Sequence, residues 1–466
     1  MTTEHILRVE SPYTGQIVFE RPLLDGAAVD PLMARAEKAQ RAWRETSLAE
    51  RIALVSRFAS AFEVSAEVYA REISQSMGKP IAQARGEVRT MCARARALAE
   101  IAEAALADDV LPPIPGFERR IAHEPVGVVV VLAAWNYPLL IAVNPTVAAI
   151  LAGNAVVLKH SARTPRVAEQ FQEAFLAAGA PPDLVTAVHA SHTVAKALVQ
   201  HPKTGFVSFT GSVAGGRDIY RAVAETRFVD VTLELGGKDA AYVAADAPFA
   251  ATVREVVDGA YYNAGQSCCG IERVYVHRSL YDAFLEEART LIERYVLGDP
   301  DLESTTLGPM AQPGAPDFLR DQVEEAERLG ARLILGGEKC AVDGRGRFFQ
   351  PTLLADTDHR MAVAREESFG PVLAVAPVDD DDQALERMND SPYGLTASIW
   401  TQDQDRVRRM GRRLEVGTVF MNRADFLDPL LAWTGWKDSG KGVSLSKLGL
   451  RAMTRPKSYH LKLSLS

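Results

Sequence analysis

The chain has 466 residues and a formal net charge of −8; 47% of its residues are hydrophobic and 24% are charged. This composition is typical of a globular protein with a large core and excludes a largely disordered chain, while the length predicts two or three domains. The negative charge argues against a nucleic acid or an anionic membrane as a partner.

The four cysteines, Cys92, Cys268, Cys269 and Cys340, have neither the spacing of a disulfide framework nor that of a metal site. We therefore expect a reducing compartment, the cytoplasm, and no bound metal. The first residues, MTTEHILRVESPYTG, lack a cationic start followed by an apolar run, so no signal peptide is predicted.

Residues 31–105 have apolar side chains at steps of three and four residues, which predicts helices. A proline-rich break at 111–116 follows, and then FERRIAHEP (117–125), a strand candidate. The closing SYHLKLSLS (458–466) alternates like an edge strand, which we expect to pair with FERRIAHEP or with another subunit.

Residues 126–158 carry no charged side chain, and a segment of that length could span a bilayer. However, Pro138, Pro145 and Asn154 interrupt it together with two glycines and two further asparagines. A membrane helix is difficult to build through these residues. A buried strand, a turn, a helix and a second strand fit them better.

From residue 126 onward, strand and helix patterns alternate, which predicts a parallel sheet built from right-handed βαβ units. The predicted strands are 126–132, 155–158, 184–188, 206–209 and 230–234, and the predicted helices are 139–151, 165–178, 194–199 and 215–224. Ligands bind beyond the carboxyl ends of such strands. Polar triplets stand there at 134–136, 159–161 and 210–212, and we expect them to meet at one edge.

The segment FTGSVAGGR (209–217) predicts a strand, a glycine-rich turn and a helix whose N-terminus could hold a pyrophosphate. It is not the full G-x-G-x-x-G fingerprint, and a single glycine-rich turn is more often only a turn. Its place in the βα series favours the phosphate interpretation.

A second alternating block begins at Leu235 and ends near residue 437, with strands predicted at 240–243, 271–277, 332–335, 372–378, 396–400 and 417–421. Within it, YYNAGQSCCGIER (261–273) predicts the end of a helix over 250–263, a break at 264–265 and a strand from Ile271. Cys268 then lies in a corner where its thiol can face a cleft. A small buried hydrophobe is the alternative, and this stretch alone leaves both open.

Five segments, in order, resemble the motifs of the aldehyde dehydrogenase superfamily over nearly the full length of the chain. They are WNYP (135–138), VLK (157–159), LELGGK (233–238), GQSC (265–268) with Arg273 following, and EESFGPV (366–372). The 34 residues that separate Glu234 from Cys268 also agree with that family.

The resemblance implies that Cys268 is the nucleophile and Cys269 a spectator. A thiolate would attack the aldehyde, and the Asn136 amide with the Cys268 backbone N–H would stabilise the oxyanion. After hydride transfer to a nicotinamide, Glu234 would activate the water that hydrolyses the thioester. Taken alone, Asn136 could merely cap the next helix, and Glu234 could pair with Lys238.

The cofactor implied by the resemblance is NAD or NADP. Lys159 would bind the adenosine ribose and Glu367 the nicotinamide ribose, with Phe369 packing nearby. The full set of cofactor residues is Trp135, Lys159, Ser161, Gly211, Ser212, Gly216, Glu367 and Phe369. The family often has a glutamate three residues after the lysine, where this chain has Ala162 followed by Arg163. Without that carboxylate we expect NADP to be tolerated as well as NAD.

The substrate pocket implied by the resemblance contains Tyr137, Ser267 and Trp433, with Phe426 and Leu427 as further candidates. An aromatic lining favours an apolar or aromatic aldehyde. Arg423 lies in the same late segment and could instead meet the carboxylate of a semialdehyde. Both substrate classes stay open at this point.

The sequence therefore predicts an α/β, aldehyde dehydrogenase-like fold with two doubly wound parallel-sheet domains and a small β flap. Residues 1–113 and 125–234 would form the cofactor domain, 235–437 the catalytic domain, and 114–124 with 438–466 the flap and tail. The resemblance implies that the flap joins subunits into a homodimer or homotetramer. The rival functions are a CoA-acylating aldehyde dehydrogenase, against which Glu234 argues, and a catalytically silent binding protein.

Overall fold

The computed structural model describes residues 6–464. Its first half contains nine strands and eight α-helices. The strands are β1 (Ile6–Glu10), β2 (Ile17–Pro22), β3 (Asp109–Val110), β4 (Phe117–Pro125), β5 (Val128–Ala133), β6 (Ala155–His160), β7 (Val185–Val188), β8 (Thr204–Thr210) and β9 (Asp230–Glu234). The helices are α1 (Val29–Trp43), α2 (Leu48–Val64), α3 (Ala66–Met77), α4 (Ile81–Leu106), α5 (Pro138–Leu151), α6 (Arg166–Ala177), α7 (His192–Gln200) and α8 (Val213–Ala224).

The second half, up to residue 464, adds thirteen strands and seven α-helices. The strands are β10 (Asp239–Val243), β11 (Ile271–His277), β12 (Arg332–Leu335), β13 (Lys339–Val342), β14 (Arg345–Phe349), β15 (Thr352–Ala355), β16 (Val372–Val378), β17 (Tyr393–Gly394), β18 (Thr396–Trp400), β19 (Thr418–Met421), β20 (Trp436–Lys437), β21 (Gly440–Lys441) and β22 (Thr454–Lys462). The helices are α9 (Phe249–Tyr261), α10 (Tyr281–Ile292), α11 (Ala315–Arg328), α12 (Ala362–Arg365), α13 (Asp381–Asn389), α14 (Gln404–Gly411) and α15 (Ser446–Ala452).

The first large sheet has six strands in the order β21-β9-β8-β5-β6-β7. All neighbours are parallel except β21, which runs antiparallel to β9. Helices α2, α4, α5 and α6 cover one face, and α1, α7 and α8 cover the other. Because both faces are covered, the central strand β5 reads VVVVLA and is buried along its whole length.

The second large sheet has seven strands in the order β12-β15-β16-β11-β10-β18-β19. It is parallel except for β12, which runs antiparallel to β15. Helices α9, α10 and α11 pack on one face, and α13 and α14 on the other. The prediction of two doubly wound parallel sheets is therefore confirmed.

A small antiparallel sheet has the order β22-β4-β3. Strand β22 pairs with β4 from Thr454 opposite Pro125 to Lys462 opposite Phe117. The prediction that the closing strand pairs with FERRIAHEP is confirmed; its last two positions, 465 and 466, lie outside the described residues. That this sheet joins subunits stays a prediction.

The charge-free segment forms β5, α5 and most of β6. Pro138 begins α5, where its missing N–H costs nothing, and Pro145 lies inside the same helix. Among residues 6–464, no helix has both the length and the apolar character needed to cross a membrane. The strand, helix and strand interpretation of this segment is confirmed.

Several parts of the fold differ from the sequence expectations. The two-stranded units β1–β2, β13–β14 and β17–β20 were not predicted, and neither was β15 of the second large sheet. The helix expected over 250–263 ends at Tyr261, because Asn263 and Ala264 adopt left-handed backbone angles with φ of 54°. The domain limits stay a prediction; within the proposed tail, β21 adds a strand to the first sheet.

Candidate active site

The carboxyl ends of β5, β6 and β8 lie side by side, because these strands are neighbours in the first sheet. The polar triplets at 134–136, 159–161 and 210–212 follow those three ends. The expectation that they meet at one edge is confirmed. His160 in the second triplet is structural: its Nε2 bonds the Pro138 carbonyl oxygen at 3.0 Å, and burial lowers its pKa to about 3.

Cys268 lies between a short 3-10 turn, Tyr262–Gly265, and β11. Gly265 has φ of 68°, and a Cβ there would stand 2.1 Å from the Gly370 carbonyl oxygen, so the turn requires glycine. Gln266 fixes the turn from inside: its Nε2 donates to the Asn263 carbonyl oxygen at 3.1 Å, and its Oε1 accepts from the Ala311 N–H at 2.9 Å. These contacts hold the thiol loop in one conformation.

The two adjacent cysteines have different surroundings. Both cysteines contribute to the wall of one cavity, but Cys268 is partly exposed, whereas Cys269 is buried. The Cys269 thiol lies 3.0 Å from Oδ1 of Asp425, which also accepts from the Ser267 hydroxyl at 3.0 Å. A hydrogen bond with Cys268, together with burial, raises the pKa of Cys269 well above its usual value. Cys268 is therefore the accessible thiol of the pair.

Asp425 was missed by sequence reasoning, which named its neighbours Arg423 and Phe426 instead. Besides Ser267 and Cys269, it accepts from the Tyr137 hydroxyl at 3.1 Å. Three donors from two distant segments thus converge on one carboxylate beside the nucleophile candidate. An aspartate in a late loop carries no spacing signal that could have indicated this role.

Asn136 is held by its backbone, which leaves its side chain available. Its carbonyl oxygen accepts from Lys79 Nζ at 2.8 Å and from Asn263 Nδ2 at 3.0 Å. Within residues 6–464 the side-chain amide has no hydrogen-bond partner, although Asn136 is only 3% exposed. Tyr137 is the N-cap of α5, with no side-chain cap bond, so the interpretation of Asn136 as the cap is wrong.

A buried ion pair supports Asn136 from behind. Lys79 pairs with Glu87, and Glu87 Oε1 accepts from the Leu139 N–H at 2.8 Å at the start of α5. Both charged side chains are almost fully buried. Sequence reasoning missed the pair, although a lysine followed eight residues later by a glutamate on the apolar face of a helix was a usable signal.

Glu234 ends β9 and faces the same cavity as Cys268. The Ser444 hydroxyl donates to its Oε1, and burial raises the pKa of the carboxyl group. Ser444 is fixed by two backbone hydrogen bonds with Trp433, of 2.8 and 2.9 Å. Lys238 pairs with Glu272 instead, so the interpretation of Glu234 as an ion-pair partner of Lys238 is wrong.

Arg94, on α4, is a further cavity residue that the sequence did not reveal. It is 3% exposed, and its Nη1 donates to Oδ1 of Asn144 at 3.2 Å. Its Nε is buried without a hydrogen-bond partner. Burial lowers the pKa of Arg94 to about 10, partly offset by the nearby Glu234, so the guanidinium is charged at neutral pH.

The cavity that joins these groups has a volume of about 310 Å³. Its wall contains all three predicted catalytic residues, Cys268, Asn136 and Glu234. Four of the candidate pocket residues also line it: Tyr137, Phe426, Leu427 and Trp433. Two others do not. Ser267 is buried behind the thiol, and the Arg423 guanidinium lies 3.3 Å from the centre of the Phe426 ring.

On the other side of Cys268, Lys159 extends from β6 at the sheet edge. Burial lowers the pKa of its amine, and no carboxylate of the described chain forms an ion pair with it. Ser161 accepts from the Arg163 N–H at 3.3 Å, which closes the turn after β6. Arg163 Nη1 donates to the Glu10 carbonyl oxygen at 2.9 Å, and Ala162 is exposed.

The glycine-rich turn follows β8, which is separated from the Lys159 strand β6 by β5. Ser212 caps α8 by accepting from the Gly215 N–H at 3.2 Å, and Gly211 N–H donates to the Glu234 carbonyl oxygen at 3.0 Å. A Cβ on Gly216 would stand 2.6 Å from Leu235, so close packing of α8 requires glycine there. The turn therefore brings the N-terminus of a twelve-residue helix to the sheet edge.

Glu367 and Phe369 complete this edge. Glu367 Oε1 accepts from the Gly237 N–H at 3.0 Å, and burial raises its pKa to about 8. The Phe369 and Trp135 rings meet edge to face, with centroids 5.5 Å apart. A free amine, a helix N-terminus, a carboxyl group and two aromatic rings are groups that could hold a dinucleotide.

Comparison with known proteins gives the same family throughout. The sequence model of the aldehyde dehydrogenase family matches residues 1–459. The 3,6-anhydro-alpha-L-galactose dehydrogenase of Streptomyces coelicolor is 35% identical, covering 98% of this chain and 93% of that protein. The succinate semialdehyde dehydrogenase [NAD(P)+] Sad of Escherichia coli is also 35% identical, covering 94% of each. A 3,6-anhydro-L-galactose dehydrogenase solved in complex with NAP superposes with a TM-score of 0.94 at 29% identity, covering 99% of this chain and 97% of that one.

Proposed function

Because this chain belongs to the aldehyde dehydrogenase family and is an NAD(P)-dependent oxidoreductase, we propose that it oxidises an aldehyde to a carboxylate through a covalent adduct on Cys268. One observation carries the proposal. A partly exposed thiol, a buried side-chain amide without a partner among the described residues, and a half-buried carboxyl group line the same cavity. These are the three groups that the reaction needs.

In the first step the Cys268 thiolate attacks the aldehyde carbon, and a carbon–sulfur bond forms while the carbonyl oxygen gains negative charge. The Asn136 amide is the donor for that oxygen, because its backbone is anchored by Lys79 and its side chain has no competing acceptor. A preorganised donor of this kind contributes roughly 100- to 1000-fold to the rate.

Lys159, on β6, and Glu367, just before β16, would bind the two riboses of the cofactor, and the N-terminus of α8 would bind its phosphates. When bound there, NAD or NADP supplies the acceptor for the hydride that leaves the carbon attached to Cys268. The product of that step is a thioester on Cys268. Gly216 and the Trp135–Phe369 pair shape the surface against which the cofactor packs.

In the last step Glu234 takes a proton from a water molecule, which attacks the thioester and releases the carboxylate and the Cys268 thiol. Burial raises the pKa of Glu234, and a carboxylate with a raised pKa is a stronger base than an exposed one. The Ser444 hydrogen bond keeps it oriented. A base on the cavity wall favours water over CoA as the acyl acceptor.

We also propose that both NAD and NADP are accepted. Ala162 is exposed and uncharged where a carboxylate would repel a 2′-phosphate. Arg163 contributes less to binding of the 2′-phosphate than the sequence implied, because one of its nitrogens donates to the Glu10 carbonyl oxygen. The ratio of the NADP and NAD Michaelis constants tests this, and a ratio far above one would contradict it.

The proposed cellular location and assembly rest on the cysteines and on the exposed strand β22. All four cysteines are unpaired, which supports the cytoplasm as the location. The exposed side chains of β22, beside β4, support pairing of this small sheet with a second copy, which gives a homodimer or homotetramer. Light scattering of the purified chain tests the assembly.

The experiment that tests the proposed function follows NADH and NADPH formation from a panel of neutral and charged aldehydes. We expect turnover by the native chain and none by Cys268→Ala, with Cys269→Ala as the matched control that retains activity. Turnover by Cys268→Ala, or none by the native chain with water or CoA as acceptor, would contradict the proposal.

A further inference from the structure

We infer that Arg94 binds a carboxylate of the substrate, which makes the preferred substrate a short aldehyde with a carboxylate remote from its carbonyl group. This inference rests on the proposed function. The two curated relatives named above are a sugar-derived aldehyde enzyme and a semialdehyde enzyme, so their names do not decide the charge of the substrate. The cavity wall itself provides the argument.

Arg94 is a charged donor with unused capacity inside the cavity. A guanidinium has five N–H donors. One is used on Asn144, the Nε donor is buried without any acceptor, and no carboxylate within residues 6–464 forms a salt bridge with Arg94. Since buried charges are normally paired, this arrangement leaves room for an acceptor that the protein does not supply.

The other charged groups on the wall have partners or lie at the rim. Lys79 and Glu87 neutralise each other, whereas Glu234 accepts from the uncharged Ser444 hydroxyl and lies close enough to Arg94 for the two charges to influence each other without a direct ion pair. Asp425 accepts from three donors, and Glu255 pairs with the adjacent Arg254. Asp258 is exposed to solvent, which screens its charge. Among the wall residues of the described chain, Arg94 is therefore the buried cation that has no direct ion-pair partner, with Glu234 nearby but not in contact.

Arg94 lines the same cavity as Cys268 and lies within electrostatic reach of Glu234 and Cys269, so a carboxylate bound to it would belong to a short substrate. The aldehyde carbon must lie at Cys268 and its oxygen at Asn136, so the rest of the molecule extends along the wall. Helix α4 places Arg94 on that wall, two turns after Glu87, and Asn144 of α5 braces it from the facing helix. A planar guanidinium pairs with a carboxylate through two parallel hydrogen bonds, which fixes position as well as charge.

The test compares succinic semialdehyde, butanal and trimethylammonioacetaldehyde on the native chain, Arg94→Met and Arg94→Lys. We expect the native chain to prefer the carboxylated aldehyde. Arg94→Met should lose about 100-fold more kcat/KM for it than for butanal, mainly through KM, while any loss in kcat common to both aldehydes reflects the missing Arg94 charge near Glu234. Arg94→Lys should be intermediate, because a lysine keeps the charge without the planar fork.

The matched control is Arg89→Met, the same change at an exposed position of α4 that is not on the wall. It should leave all three substrates unchanged. Equal losses for every aldehyde in Arg94→Met would mean that Arg94 acts on Glu234 or on folding, and a native preference for the ammonium aldehyde would also overturn the inference. If Arg94→Met does not fold, the native preference and Arg94→Lys decide.

Failure of this inference is distinct from failure of the proposed function. Turnover of butanal that requires Cys268, without an advantage for the carboxylated aldehyde, would reject the role of Arg94 alone. Absence of Cys268-dependent turnover of any aldehyde would reject both.

Discussion

The substrate side and the cofactor side of Cys268 are held in place by different kinds of contact. On the substrate side, Asn136, Glu234 and Arg94 are positioned by residues 50 to 210 positions away in the chain. On the cofactor side, the functional groups largely follow from single strand–turn–helix units, as with Lys159 after β6 and Ser212 at the start of α8. We therefore expect substitutions at supporting residues to lower the rate of the chemical steps on the substrate side and to weaken cofactor binding on the cofactor side.

The largest effect should come from breaking the buried ion pair on the substrate side. Glu87→Gln leaves the Lys79 ammonium buried without its counter-charge, and such a change costs about 3–5 kcal/mol of unfolding free energy. Because Lys79 also anchors the Asn136 carbonyl oxygen, turnover should fall by more than about 100-fold. Urea denaturation and NADH formation measure the two effects.

The matched control is Glu63→Gln, which breaks the exposed pair of Glu63 with Arg96 on the neighbouring helices. An exposed pair contributes about 1 kcal/mol or less, and no cavity residue depends on it. If both variants lost the same unfolding free energy and neither lost activity, the claim that the Lys79–Glu87 pair supports Asn136 would be wrong.

A smaller, more specific effect is expected from Ser444→Ala. The hydroxyl donates to the carboxylate form of Glu234 and so lowers its pKa, against the upward shift that burial causes. Removing it should raise that pKa further, so the acidic limb of the kcat profile should move to higher pH. The rate at neutral pH should fall about 10-fold, because more Glu234 is protonated.

Pre-steady-state kinetics separates this role from a general structural one. Ser444 acts on the hydrolysis step, so the initial burst of NADH should persist in Ser444→Ala while the steady-state rate falls. Ser444→Thr retains the hydroxyl and should restore the native pH profile. A lost burst with an unchanged pH profile would place Ser444 elsewhere in the reaction.

On the cofactor side, Lys159→Met should affect binding alone. The amine has no ion-pair partner within the described residues, so its removal breaks no internal contact. We expect KM to rise about 10-fold for NAD and NADP, with kcat at saturation and the thermal midpoint nearly unchanged. Lys196→Met, at an exposed position of α7 paired with Glu225, is the control. Unchanged Michaelis constants for both cofactors would contradict the assignment.

The difference between local units and long-range contacts also explains which parts of the fold and the site the sequence could predict. The alternation of strands and helices predicted most strands of both sheets, because apolar runs such as VVVVLA and the turns between them are local signals, but β15 and β21 were not predicted. The glycine-rich turn with Ser212 was a local signal of the same kind, whereas Lys159 and Cys268 were identified through short motifs that resemble those of the family. Arg94, Ser444 and Asp425 were not, since their importance arises from packing between distant segments. The left-handed pair Asn263 and Ala264 likewise depends on contacts with Gln83 and Gln266.

The smallest effect is expected at Cys269, although it adjoins the nucleophile in sequence. Its thiol is one of three donors to Asp425, and Ser267 and Tyr137 would still hold that carboxylate in Cys269→Ala. The variant should lose about 1 kcal/mol of stability and less than about threefold in kcat. Thiol reactivity requires exposure and a thiolate, and Cys269 is buried with a raised pKa. Brief iodoacetamide treatment should therefore label Cys268 in the native chain and in Cys269→Ala alike. Peptide mass spectrometry identifies the labelled cysteine. Preferential labelling of Cys269 would reverse the assignment of nucleophile and spectator.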